Sequence, residues 1–187
     1  FHTLAKFKFK QGLDICFAKG RKKDFETLVN RPYTIGFRKQ LENVENLSID
    51  VSLHELSEKN NTLPFPISCI ELFHAYKGHG YRFELEDKII AYSGDTGICD
   101  NSYKLAKNAD ILIHECSYDK PKDDKWGHVD PTQAANLAKK ANVKKLILTH
   151  FDASIYTALE KRHVAEKKAQ KIFPNTIAAK DYMTINL

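Results

Sequence analysis

Six residues in this sequence carry side chains suited to metal or acid-base chemistry at places where a chain turns. Asp95 sits in Gly94-Asp95-Thr96-Gly97, His114 and Glu115 are adjacent, His128 follows Gly127, His150 ends Leu148-Thr149-His150, and His74 follows Leu72-Phe73. Imidazole suits borderline-soft divalent ions and proton transfer near neutral pH, and a carboxylate can hold a cation or orient an imidazole. Each residue taken singly has an ordinary alternative. Gly-Asp-Thr is a common turn in which aspartate satisfies its own backbone, and a histidine after a strand more often makes a plain hydrogen bond.

The elements that must position these residues follow from periodicity. Short apolar runs read as strands over Leu13 to Ala18, Ile67 to Phe73, Lys88 to Ser93, Asp110 to Ile113 and Val143 to Leu148. Alternation adds Leu47 to Leu53, and Tyr81 to Leu85 as a hairpin partner for the strand before His74. Helical spacing predicts Phe1 to Lys10, Lys22 to Asn30, Asn101 to Lys107, a helix capped by Asp130-Pro131 and running to Lys140, and a long one from about Ile155 to Phe173. Closing strands are expected near Thr176 to Ala179 and Tyr182 to Leu187. Three strands thus end directly in Asp95, His114 and His150. In mixed αβ folds that edge binds ligands, because strand ends hold side chains rigidly while the following loops leave space.

Tyr92-Ser93-Gly94-Asp95-Thr96-Gly97, Leu112-Ile113-His114-Glu115-Cys116-Ser117, Gly127-His128 and Leu148-Thr149-His150-Phe151, in that order, resemble the metallo-β-lactamase superfamily, and within it the RNase Z-like phosphodiesterases. The likeness covers about Cys69 to Leu187 and extends more faintly to the glycine-led helix of Gly20 to Asn30. It implies an α/β fold, the four-layer αβ/βα sandwich, here incomplete at its front, with residues 1–187 forming the C-terminal part of a single domain. It further implies two divalent metal ions, zinc first with manganese or iron as alternatives. Asp95 would bridge them, with His74 and His150 as terminal ligands. His128 resembles the histidine near the scissile phosphate. His114-Glu115 resembles the family's His-Glu-Ala-Thr element and is expected to support the ligands from behind, though His114 could equally brace the surrounding loops. Two departures stand out: Cys116-Ser117 replaces Ala-Thr, and Val129-Asp130 replaces Ser-Thr.

The family's main ligand motif, HxHxDH, is not in the sequence: the histidines are at 2, 54, 74, 79, 114, 128, 150 and 163, and no two stand two residues apart. With the chain opening on Phe1 and Met183 its only methionine, the resemblance leads us to expect a preceding β-rich segment in the intact protein, and weak zinc binding and no activity without it. The expected activity is metal-dependent hydrolysis of a phosphodiester, RNA being the sharpest candidate. Two alternatives stay open: a small ester, lactone or cyclic nucleotide hydrolysed on the same centre, and a metal-free binding or scaffold relative.

Bulk properties narrow the field. A chain of 187 residues with 42% hydrophobic residues can bury a real core, and it contains no uninterrupted apolar run of the roughly 18 residues a membrane helix needs. Cys16, Cys69, Cys99 and Cys116 form no CxxC pair, which argues against a zinc knuckle and against a secreted disulfide scaffold. A soluble, cytoplasmic protein without membrane partners is expected, with a homodimer as the assembly to test. The net charge of +5 is compatible with a polyanionic partner. Lysines outnumber arginines 24 to 5, so the basic surface lacks the bidentate phosphate grips typical of nucleic-acid binders. His2, His54 and His163 are expected to be ordinary, Cys99 and Cys116 to be packing residues, and Lys161 to Lys171 a solvated face.

Overall fold

The computed structural model describes residues 13–29, 51–57, 63, 65–122 and 125–186. The chain divides into two compact units, Phe1–Ser57 and Glu58–Leu187. In the first, strand β1 (Leu13–Ala18) pairs in parallel with β2 (Val51–Leu56), and helix α1 (Lys22–Val29) lies between them in sequence. The Glu55 carboxylate accepts from Gly20 N at 2.9 Å, closing the turn into α1, and His54 Nε2 meets Asp14 Oδ1 across the pair at 2.6 Å. His54 is therefore an ordinary cross-strand partner. The expected helix at 1–10 and residues 47–50 of the expected strand lie outside the described residues, and the strand there runs on to Leu56 because β1 pairs with it residue for residue through Ala18.

The second unit is built on a six-stranded sheet of order β3-β4-β5-β6-β7-β8, formed by Ile67–Leu72, Gly78–Leu85, Lys88–Tyr92, Ile111–Glu115, Lys145–Thr149 and Thr176–Ala178. β3, β4 and β5 are antiparallel neighbours, whereas β5 through β8 are parallel. Strands β3, β5, β6 and β7 consequently all point the same way. Helices α2 (Asp100–Ala106), α3 (Pro131–Lys140) and α4 (Leu159–Gln170) make the crossovers. Their apolar residues Leu105, Ala135, Leu137, Ala138 and Ala169 pack with Leu112, Leu146 and Leu148 in one buried cluster. Asp130 caps α3 as expected, accepting from Thr132 N at 2.6 Å while Gln133 Oε1 accepts from Asp130 N at 3.1 Å.

Two expected boundaries move. The long helix begins at Leu159 rather than Ile155, because the Asp152 carboxylate accepts from Ser154 N at 2.8 Å and the Asp152 carbonyl from Tyr156 N at 2.7 Å, holding a separate turn ahead of it. No strand lies beyond Ala178 among the described residues: the Lys180 carbonyl accepts from Met183 N at 3.2 Å, and Tyr182 turns there with φ +61°. Alternation alone could not supply a pairing partner. No described helix is long and apolar enough to cross a membrane.

Candidate metal centre

Parallel pairing fixes where the strand ends fall. Tyr92 lies opposite Ile113, and Glu115 opposite Thr149, so the residues that follow these strands emerge side by side at one sheet edge. β3 points the same way and delivers His74 there after Leu72. Two glycines let the connecting loops close up. Gly94 has φ +58°, and a Cβ on it would stand 2.9 Å from the His79 carbonyl oxygen. Gly127 has φ +79°, and its Cβ would stand 2.5 Å from the Phe73 carbonyl oxygen. Ala75 N donates to the Trp126 carbonyl at 3.0 Å, stitching the His74 turn to the His128 loop.

The side chains then meet. His150 Nε2 lies 3.3 Å from Asp95 Oδ1. The His74 and His128 rings are 5.2 Å apart, and the His128 and His150 rings 5.8 Å apart and stacked. His150 holds this position with φ +52°, a left-handed backbone uncommon for a residue with a side chain. The sequence-nominated residues His74, Asp95, His128 and His150 therefore fall in one cluster.

Glu115 is 1% exposed and fully engaged. Its Oε1 accepts from His128 Nδ1 at 2.8 Å and from Thr96 N at 3.3 Å, and its Oε2 from Ser117 N at 2.8 Å. Because the carboxylate can only accept, His128 carries its proton on Nδ1 and turns Nε2 elsewhere. Glu115, His128 and His150 also bring ligand atoms within 4.8 Å of one another. The Glu115 oxygens are already committed to three donors, which favours an orienting role over coordination.

His114 behaves differently from its neighbour. Successive strand residues point to opposite faces, and His114 shares the face of Leu112, beneath the helices. It is fully buried, which holds its pKa below the ordinary histidine range. Its Nδ1 donates to the Glu115 carbonyl at 2.9 Å, and its Nε2 finds no hydrogen-bond partner. The structure brings Glu115 to the cluster but not the His114 side chain, which braces the strand end from within the core. Cys116 is likewise interior, its thiol pushed up to about 12 by burial, with Tyr156 Oη 3.7 Å from its sulfur. Cys99 packs at the start of α2 against Ser102, Sγ to Oγ 3.3 Å.

Ser117 is the residue that sequence reasoning passed over. Its Oγ lies 2.9 Å from His150 Nδ1 and 3.1 Å from the His150 carbonyl. A hydroxyl has one proton, and the carbonyl can only accept it, so toward Nδ1 the hydroxyl oxygen is the acceptor. His150 thus carries hydrogen on Nδ1. Its Nε2 and Asp95 Oδ1 then meet at 3.3 Å through either a second ring proton or a cation between them. This donor pair, with His74 adjacent through His128, fits a divalent ion of borderline-soft character. The sequence signals for Ser117 are its place two residues beyond Glu115, where a strand gives way to loop, and its standing where the family element carries threonine.

Comparison with known proteins identifies the family and the fold. The model of the beta-lactamase superfamily domain matches residues 17–151, more than half of the chain. Ribonuclease Z of Ligilactobacillus salivarius (strain UCC118) is 41% identical over 103 residues, 54% of this chain and 32% of that protein. Ribonuclease BN of Proteus mirabilis (strain HI4320) is 40% identical over 107 residues, 56% and 34% of the two chains. The matched region therefore spans about a third of the length of these relatives. Among solved structures, the metallo-beta-lactamase fold protein YhfI from Bacillus subtilis superimposes with TM-score 0.70 at 20% identity, over 96% of this chain and 68% of that one. Human tRNase Z, short form, gives 0.67 at 23% identity, over 99% and 72%. The chain belongs to the beta-lactamase superfamily, with the metallo-β-lactamase fold and an RNase Z-like set of motifs.

Proposed function

We propose that this chain is part of a metal-dependent phosphodiesterase of the RNase Z kind, with RNA as its substrate class. The observation that carries the reading is the meeting of Asp95 and His150 at 3.3 Å beside a Glu115–His128 pair locked at 2.8 Å. His74, Asp95 and His150 would hold two divalent ions, zinc being the metal suited to these donors, and such ions supply Lewis-acid stabilisation of phosphoryl charge. Carrying a second proton on Nε2, as imidazolium beside the Glu115 carboxylate, His128 would pass that proton to the leaving oxygen and return to the neutral ring, while Glu115 holds its orientation through Nδ1. Glu115 and Ser117 orient the imidazoles. The relatives called Ribonuclease Z and Ribonuclease BN support a ribonucleic substrate. Residues 1–187 would act as the C-terminal part of one catalytic domain, in the cytoplasm, with a homodimer as the assembly to test.

Turnover of bis-p-nitrophenyl phosphate beside a lactone panel, on the zinc-loaded intact protein with the expected preceding segment, tests this. Phosphodiester cleavage that falls with Asp95→Asn supports it. Lactone cleavage alone would move the chain to the small-ester alternative, and tight zinc binding with neither activity would favour a scaffold.

A further inference from the structure

The largest aromatic side chains near the cluster are not in the core. Tyr76 is 74% exposed and Trp126 is 53% exposed. Their rings stand 6.0 Å apart and tilted 51°, and Tyr76 is 6.2 Å from the ring of His74. The backbone bond from Ala75 to Trp126 and the close passage of Gly127 under Phe73 hold the two loops that carry them in register. So exposed, these rings bury less apolar surface than core aromatics do. Adjacent exposed aromatics at the mouth of a polar cleft mark a ligand surface.

The cleft has room for one. Trp126 and Tyr118 line a cavity of about 470 Å³ together with Lys122, His128 and His150, within the range of small-ligand sites. Aromatic side chains and the imidazoles of His128 and His150 thus share one cavity, with the Tyr118 ring 5.6 Å from that of His128 and Asp152 also in the lining. Lys122 Nζ sits 4.7 Å from the centre of the Tyr118 ring and adds a cation to the same space. A ligand filling this cavity can set an anionic group at the imidazoles and lay a flat π-face on the aromatic side chains. A nucleotide has that shape.

The geometry points to a nucleobase-stacking subsite: Trp126 and Tyr76 receive the base next to the phosphate held at the His74, His128 and His150 cluster. This rests on the phosphodiesterase reading and adds to it which part of the substrate the chain grips. Stacking accepts any base, the larger purine face more strongly, and needs no hydrogen-bond code. The shortage of arginine noted above is then no obstacle, because the recognition lies in the rings and not in bidentate phosphate contacts.

Trp126 is the sole tryptophan, so intrinsic fluorescence reports on this ledge alone. The full chain, at fixed zinc, is titrated with AMP, UMP and ribose 5-phosphate, and affinities are repeated by equilibrium dialysis. AMP is expected to quench most and bind tightest, UMP less, and ribose 5-phosphate to bind weakest without quenching. Tyr76→Ala and Trp126→Ala should each weaken AMP by about 5- to 160-fold, the range expected for loss of one base stack, and leave ribose 5-phosphate unchanged. Equal affinity for all three ligands, or a ratio of AMP to ribose 5-phosphate unmoved by both variants, overturns the subsite and leaves the phosphodiesterase reading standing. Binding of none of them removes both. Since Tyr76 is mostly in solvent, its variant keeps the fold, which circular dichroism verifies.

Discussion

Replacing Ser117 with alanine removes one oxygen from beneath His150. Three contacts go with it, 2.9 Å to His150 Nδ1, 3.1 Å to the His150 carbonyl and 3.4 Å to His128 Nδ1. Ser117 is 3% exposed, so water cannot readily take the hydroxyl's place. The ring, already on a backbone with φ +52°, loses the acceptor that holds Nδ1 in place and Nε2 turned toward Asp95. Loss of such a support behind a metal-binding histidine typically weakens metal affinity by about 10- to 100-fold, or roughly 1.4 to 2.7 kcal/mol. Folding should suffer less, on the order of 0.5 to 1.5 kcal/mol per lost hydrogen bond. The assay is zinc competition against a chromogenic chelator, with thermal denaturation in EDTA to isolate the folding part. Ser117→Thr keeps the hydroxyl, as does the threonine that the family pattern carries there, and should restore affinity. Unchanged zinc affinity in Ser117→Ala, or equal loss in Ser117→Thr, would refute the role of the hydroxyl.

His128→Ala should slow phosphodiester turnover by roughly 10²- to 10⁴-fold with zinc content by elemental analysis unchanged; loss of metal would make His128 a ligand instead. Gly127→Ala places a methyl 2.5 Å from the Phe73 carbonyl on a φ of +79° and should destabilise by about 1 to 3 kcal/mol in denaturant melts, while an unchanged midpoint would show that the two loops are not tightly paired. Asp110 accepts from Lys144 Nζ at 2.7 Å and from Ile89 N at 2.8 Å, and these bonds hold its pKa below the usual carboxylate range, the Lys144 bond first. A carboxylate with a lowered folded pKa stabilises above its unfolded value of about 3.9 and stops doing so as pH falls through the folded value. The melting-temperature gap between the protein and Asp110→Asn should therefore be full near pH 7 and close in acid below about pH 3.9; a gap independent of pH would show that ionisation of Asp110 is not the source.

The local pattern of the sequence determined most of the second unit. Apolar runs at Ile111–Glu115 and Lys145–Thr149 are strands because branched side chains buried on both faces favour a parallel sheet. Asp130-Pro131 starts a helix because its cap and missing N–H suit a first turn. Those regularities put Asp95 and His150 at strand ends, and the order of motifs identified the family. Distances between elements lie outside any local pattern. That Glu115 and not His114 faces the cluster depends on which side of β6 the helices cover. That Ser117 reaches His150, thirty-three residues away, depends on the parallel register of β6 with β7. The Trp126 and Tyr76 ledge exists only because Gly127 lets two loops pass at backbone contact. Sequence sets what each segment prefers to be; which side chains then share a site is decided by how sheet register and close packing fold distant segments onto one edge.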